Sequence, residues 1–242
     1  MANFVLIHGA WHGAWCWNRV LTGLRAAGHA AHAVTLTGVG ERAHLLKSNT
    51  NLQTHIKDVL SMIEAEELDD LELVVHSYGG VVGTGVADKL VSAKIRHIYY
   101  LDAILPEPGE SWSSTQTEET RANRLLDAKN SPLNTISAPD PSLWGLTGED
   151  AAWVRRRMTP HPAATYTDIL DFDAQRVASI SRTYVSCSAP ASATINPMRE
   201  RAIDPKFWRG AWLPKSRFIE VPTGHDIMVS APDALNKILL HR

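Results

Sequence analysis

The chain alternates short runs of consecutive apolar residues with longer stretches whose apolar positions recur at helical spacing. Phe4, Val5, Leu6 and Ile7 form an unbroken apolar run, as expected of a strand covered on both faces. Further β-type runs occupy 29–35, 71–76 and 96–102, and, after a long gap, 182–187 and 217–221. Between them the period changes. Residues 17–27 read as a helix closed by Gly28, glycine being favoured just past a helix end. Residues 50–66 set Ile56, Val59, Leu60 and Ile63 on one stripe, the mark of an amphipathic helix. Residues 78–92 also read as a helix, yet carry Gly79, Gly80, Gly83 and Gly85. Glycine weakens a helix, so these positions point to close packing on a sheet. A last helix spans 232–240, with Asp233 in its first turn, where negative charge is favoured. Strands alternating with helices predict an α/β fold with a mainly parallel central sheet and helices on both faces.

The alternation breaks once. From about 106 to 180 strand patterns vanish, and proline, serine, threonine and tryptophan accumulate. Helical patterns surface at 118–128, 149–158 and 164–172. This predicts a helical lid inserted into one α/β domain that spans 1–242.

Composition narrows the function classes. The length of 242 residues suits a single domain that needs no disulfides. A formal net charge of -2 gives no electrostatic case for nucleic acid or an anionic membrane surface. The two cysteines, Cys16 and Cys187, form no CxxC pair, which fits a reducing compartment. The first residues lack a basic segment and carry an apolar run too short for a signal peptide. No run approaches the roughly 18 apolar residues of a membrane span. The expectation is a cytoplasmic protein with a small-molecule substrate. A homodimer built on an exposed helix stays open.

The strongest chemical signal is Val75-His76-Ser77-Tyr78-Gly79-Gly80. It lies between a predicted strand and a glycine-rich helix. A serine there sits on a tight strand-to-helix elbow with its hydroxyl exposed above the sheet, beside helix N–H groups able to hold a developing oxyanion. The usual pattern is G-x-S-x-G, and Val75 departs from it. The competing reading is a serine that merely caps a helix. The first strand runs into His8-Gly9-Ala10-Trp11-His12-Gly13-Ala14-Trp15-Cys16-Trp17, the loop that supplies a second oxyanion N–H in this architecture. Ala10 and Tyr78 are the candidate donors. Trp11 and Cys16 are candidates to line the pocket, although packing explains the tryptophans and a small buried cysteine as well.

Near the end comes Thr223-Gly224-His225-Asp226, after a strand and before a helix. An imidazole titrating at about 6.5 can take and return the serine proton, so His225 is the candidate base. The acid is less evident. The loop after 182–187 reads Ser188-Ala189-Pro190-Ala191-Ser192-Ala193-Thr194 and holds no carboxylate. Asp102, at the end of the strand after the nucleophile strand, is preferred to Asp204, which reads equally as a turn-initiating Asp-Pro. Trp112, Trp144 and Trp153 would give the lid an apolar, aromatic wall suited to a flat substrate rather than a charged one.

Together, His8 to Trp17, Gly38-Val39-Gly40-Glu41-Arg42-Ala43-His44, His76 to Gly80 and Thr223 to Asp226 resemble one branch of the α/β-hydrolase superfamily. That branch holds plant methyl esterases, hydroxynitrile lyases, and small bacterial esterases that attack pyrethroids and the benzimidazole carbamate carbendazim. The resemblance spans the chain and is closest to the bacterial esterases at 38–44. It implies an eight-stranded core, a helical lid, no cofactor, and hydrolysis of a small aromatic ester or carbamate through Ser77, His225, Ala10 and Tyr78. Gly9 and Asp226 depart from the threonine and lysine of the lyases. A ligand-binding protein on the same fold is the alternative from outside catalysis.

Overall fold

The computed structural model describes residues 1–90, 94–204, 206–207 and 216–241. From the start of the chain, β1 (Asn3–Ile7) leads through a 3₁₀ turn (Ala14–Trp17) into α1 (Asn18–Ala26). Next come β2 (Ala30–Val34), α2 (Leu52–Ala65), β3 (Leu71–His76), α3 (Gly79–Lys89) and β4 (Ile95–Leu101). A run of short elements follows: β5 (Glu110–Ser111), α4 (Glu118–Asn130), β6 (Thr135–Ile136), α5 (Gly148–Arg155), β7 (His161–Pro162), α6 (Ala164–Thr167), β8 (Ile169–Leu170) and α7 (Ala174–Ala178). The chain then returns to β9 (Ser181–Cys187), α8 (Asn196–Ile203), β10 (Ser216–Val221), α9 (Ile227–Ser230) and α10 (Pro232–Leu240).

Six strands form one sheet in the order β10-β9-β4-β3-β1-β2, and every neighbouring pair is parallel. The eight strands implied by the resemblance are not reached among the described residues. Each link between sheet strands is a crossover carrying at least one helix, which returns the chain in the same direction. No hairpin adds an antiparallel edge among these residues.

The sheet separates two apolar layers, and β1 shows how. Val5 and Ile7 join the layer that includes α2, α3 and the 110–178 segment. Phe4 and Leu6 join the layer of α1 and α10. Side chains alternate faces along a strand, so an unbroken apolar run feeds both layers. The glycines of α3 serve the close packing that their helix-weakening cost implied: a Cβ at Gly83 would overlap Val75 Cγ1.

Several predicted helices differ at their ends. The first starts at Asn18 because residues 14–17 take the 3₁₀ turn. The third stops at Lys89, and its expected last residues, 91–92, lie outside the described residues. The helix expected over 164–172 is a single turn, after which β8 pairs with β5. Asp168 ends that turn by going extended, at ψ 134. Its carboxylate accepts the Leu52 N–H at 2.9 Å, one of the donors that a helix start leaves without an internal partner.

Candidate active site

Ser77 follows the last residue of β3 and holds a left-handed backbone at φ +52. That conformation costs a non-glycine residue ~1–3 kcal/mol. The surrounding backbone enforces it: the Ser77 N–H donates to the Leu101 carbonyl at 3.3 Å, and the Ser77 carbonyl accepts from Gly80 and Ile104 N–H, both at 3.0 Å. Valine at the elbow's first small position is accommodated from the other side, because Gly83 offers no Cβ to meet it.

Ser77 and His225 line one cavity of about 270 Å³. His225 Nδ1 donates to Asp102 Oδ2 at 2.7 Å. The other carboxylate oxygen of Asp102 accepts from Arg199 Nη2 at 2.7 Å and the Cys187 N–H at 3.2 Å. Burial alone would push the Asp102 carboxyl up. The His225 hydrogen bond and charge, the Arg199 guanidinium and the Cys187 N–H hold it below its ordinary value instead. Asp204 is elsewhere, exposed at the end of α8 with its carboxylate on the Lys206 N–H. The loop carrying His225 is tied to the 110–178 segment: the His225 N–H donates to the Trp144 carbonyl at 3.1 Å. Gly224 permits the approach, since a Cβ there would overlap that carbonyl.

The Ala10 and Tyr78 N–H groups find no acceptor among the described residues. His8 sets the first of them. The Leu36 N–H donates to His8 Nε2 at 3.1 Å, so the ring proton sits on Nδ1, which donates to the Gly9 carbonyl at 2.7 Å. That carbonyl and the Ala10 N–H share one peptide plane and point opposite ways, so pinning one aims the other. Burial depresses His8 to about 3 and keeps it neutral. The Tyr78 hydroxyl donates to His55 Nδ1 at 3.0 Å, while His55 Nε2 donates to the Thr37 carbonyl at 2.8 Å. The Trp11 N–H donates to His161 Nδ1 at 3.3 Å.

Trp11, Trp112 and Trp144 line the cavity beside Ser77. Two expected wall residues do not. Trp153 packs edge-on against Trp15 with ring centres 5.0 Å apart, under Arg19 and Arg157. Cys16 is fully buried in the layer of α1, where burial raises its thiol well above the usual range. The 3₁₀ turn carries both Trp15 and Cys16 away from the cavity. The wall is also less apolar than expected, for it includes Gln116 and Arg124. Neither they nor Arg199 belongs to a motif. Only the predicted helical pattern at 118–128 hinted that Arg124 has an inward face.

A second buried pair lies behind His225. His12 Nε2 donates to Asp226 Oδ2 at 3.2 Å, and His12 Nδ1 to the Ala10 carbonyl at 2.8 Å. Burial works against both charges, but the His12 charge and hydrogen bond bring Asp226 down to about 2, and Asp226 raises His12 above its ordinary value. Potential metal ligands converge once among the described residues, where atoms of His76, His225 and Asp226 come within 4.8 Å of one another. His76 Nε2 is already given to the His225 carbonyl and His225 Nδ1 to Asp102.

The alpha/beta hydrolase family model covers residues 4–238. The chain belongs to that family. It is 41% identical over 243 residues to the carbendazim hydrolyzing esterase of Nocardioides sp. (strain SG-4G), covering 97% of each chain. It is 26% identical to methylesterase 7 of Arabidopsis thaliana, covering 98% of this chain and 95% of the relative. An extracellular alpha/beta-hydrolase from a Paenibacillus species superposes with a TM-score of 0.81 at 24% identity, over 99% of this chain and 98% of that one. This last likeness speaks for the fold.

Proposed function

We propose that this alpha/beta hydrolase is a serine esterase acting on small aromatic esters or methyl carbamates of the carbendazim type, with the segment from about 106 to 180 as a lid over one catalytic domain. One observation carries the reading: His225 is oriented by Asp102 through Nδ1, while its ring lines the same cavity as Ser77. His225 takes the proton from Ser77 as the hydroxyl attacks the acyl carbon. The Ala10 and Tyr78 N–H groups receive the oxyanion. His225 then protonates the departing alcohol, and water activated by the same imidazole releases the acyl or carbamoyl group from Ser77. Asp102 stays ionised throughout, fixing the tautomer and stabilising the imidazolium. On a methyl carbamate the products are methanol and a carbamic acid, which falls to carbon dioxide and the amine.

The two cysteines are buried and unpaired, and with a reducing compartment in view we place the protein in the cytoplasm. No helix among the described residues is long and apolar enough to cross a membrane.

The test is hydrolysis of p-nitrophenyl acetate and of carbendazim by wild type and Ser77→Ala, with mass spectrometry of the quenched enzyme. Loss of ~10⁴-fold or more in kcat in the variant, with an acyl or carbamoyl adduct on the Ser77 peptide, is the expected result. Undiminished turnover by Ser77→Ala would sink the serine mechanism. Tight binding of ester by wild type with no turnover would point to a binding protein.

A further inference from the structure

Among the described residues the cavity wall carries a guanidinium and no carboxylate. Arg124 reaches in from the middle of α4. Its guanidinium carbon lies 4.9 Å from the Trp112 ring centre, 5.3 Å from that of Tyr166 and 5.5 Å from that of Trp11. Among the described residues buried Nη1 makes no well-formed hydrogen bond, and its interaction with the nearby Tyr166 hydroxyl falls short of one. Other arginines of the same region are satisfied. Arg201 holds Glu110 through two bonds of 2.6 and 2.7 Å, Arg155 holds Asp140 at 2.8 Å, and Arg121 on the outer face of α4 holds Glu118 at 2.9 Å. Aromatic faces recover part of the cost of burying a cation, but they supply no acceptor for an N–H. Gln116 repeats the theme with opposite polarity. Its Nε2 donates to Thr115 Oγ1 and the Thr194 carbonyl, and its Oε1 is buried with no donor among the described residues. A buried donor that is left unpaired is costly unless a ligand completes it.

We propose that Arg124 is a specificity-determining residue that binds a negatively charged oxygen, a carboxylate above all, on the aromatic part of the ester. The flat ring lies among Trp11, Trp112 and Trp144, and Nη1 gains a charged acceptor better placed than the Tyr166 hydroxyl. This rests on the esterase reading of the same cavity and adds anionic aryl esters to its substrates.

The experiment compares 4-acetoxybenzoate with phenyl acetate in wild type, Arg124→Met and Arg124→Lys. The ratio between enzymes on one ester cancels the differing reactivity of the leaving groups. The expected result is that Arg124→Met loses about 30-fold more kcat/KM on the carboxylate ester than on phenyl acetate, mostly through KM, as for a hydrogen bond to a charged group. Arg124→Lys recovers part of that difference. Equal losses on both esters, or none, would overturn the proposal. A second arm needs no chemistry and no folded Met variant: 4-hydroxybenzoate is titrated against the tryptophan fluorescence of Ser77→Ala, alone and combined with Arg124→Lys. Saturable quenching that weakens with the lysine supports Arg124 even if neither ester is turned over, an outcome that would count against the esterase reading alone. Absence of quenching in Ser77→Ala refutes the anion site.

Discussion

Two buried histidine–aspartate pairs stand on either side of His76, whose ring centre lies 4.6 Å from that of His225 and 6.2 Å from that of His12. His225–Asp102 and His12–Asp226 have the same chemistry and similar burial. They differ in what is left over. His12 has spent both nitrogens, on Asp226 and on the Ala10 carbonyl. His225 has spent Nδ1 and presents its ring to the cavity. Asp102 shares its charge with Arg199 and a backbone N–H, whereas Asp226 Oδ1 has no hydrogen-bond partner among the described residues. A base needs one nitrogen held and one free, so only the first pair is equipped to move a proton. The second ties the loop of Ala10 to the loop of His225 and serves as a fastening.

The sharpest way to break this comparison is to neutralise each aspartate. Asp102→Asn should lower kcat by ~10⁴-fold, through loss of the tautomer and of the imidazolium's partner, with the fold intact by circular dichroism. Asp204→Asn should leave it unchanged. Asp226→Asn should cost about 3 kcal/mol of stability, as for a broken buried ion pair, read from urea unfolding, and less than tenfold in kcat. If Asp226→Asn were as inactive as Asp102→Asn while equally stable, the division of labour drawn between the pairs would fail.

Arg199 sharpens the contrast from the outside. Its guanidinium also reaches Ser186 Oγ at 3.0 Å and the Cys187 carbonyl at 2.8 Å, so it braces Asp102 against β9. Arg199→Met should reduce kcat about 10- to 100-fold, the worth of a charge-assisted hydrogen bond. It should also move the acidic limb of the kcat/KM profile upward, as Asp102 loses a cation that holds its carboxyl low. A uniform loss with an unmoved profile would mean that Arg199 only supports the fold.

The smallest effect per group is the pH dependence of stability. His8, His55 and His76 are buried neutral, with pKa values pressed by burial to about 3, 4 and 3. Unfolded, each takes a proton at about 6.5. Their contribution is therefore complete above that pH and is lost as pH falls toward the folded values, at ~1.4 kcal/mol per pH unit for each. His12 has the opposite sign. Its raised pKa stabilises fully below about 6.5 and is lost as pH rises through the folded value. Asp226, at about 2 when folded, stabilises above the ordinary carboxylate range and loses that contribution as pH falls through its folded value. The His12–Asp226 pair is thus strongest in the mildly acidic range, where the neutral histidines already weaken the fold. Thermal melts from pH 7 to 4.5 should show a steep fall in Tm. A flat curve would mean that these histidines carry protons in the folded state.

The parts legible in the sequence are the local ones. The run Phe4 to Ile7, the stripe of Ile56, Val59 and Ile63, and the serine at the end of 71–76 are periodicities and turns within a few residues, and the elements appear where they imply. The 164–172 stretch misled because its helical spacing was overridden by Asp168, which serves a helix more than a hundred residues earlier in the chain. Trp153 and Trp144 look alike as sequence. Only the first is drawn off by Trp15, because the 3₁₀ turn points that residue outward. Asp102 and Asp204 were both open as partners of His225. Arg199, which with His225 holds the Asp102 carboxyl low, carries no motif at all.

By itself the sequence determined the alternation of strands and helices, the elbow serine, the late histidine and the absence of a carboxylate after β9, since these are properties of neighbouring residues. Tertiary structure alone decided which aspartate meets His225, how Val75 is tolerated opposite Gly83, and which arginine is braced and which is left with an unmatched donor in the cavity. Those choices depend on groups that are close in space and far apart in the chain, such as His225 and Asp102 at 123 positions and Arg199 and Asp102 at 97. No local pattern can encode a meeting that only the packing of a parallel sheet brings about.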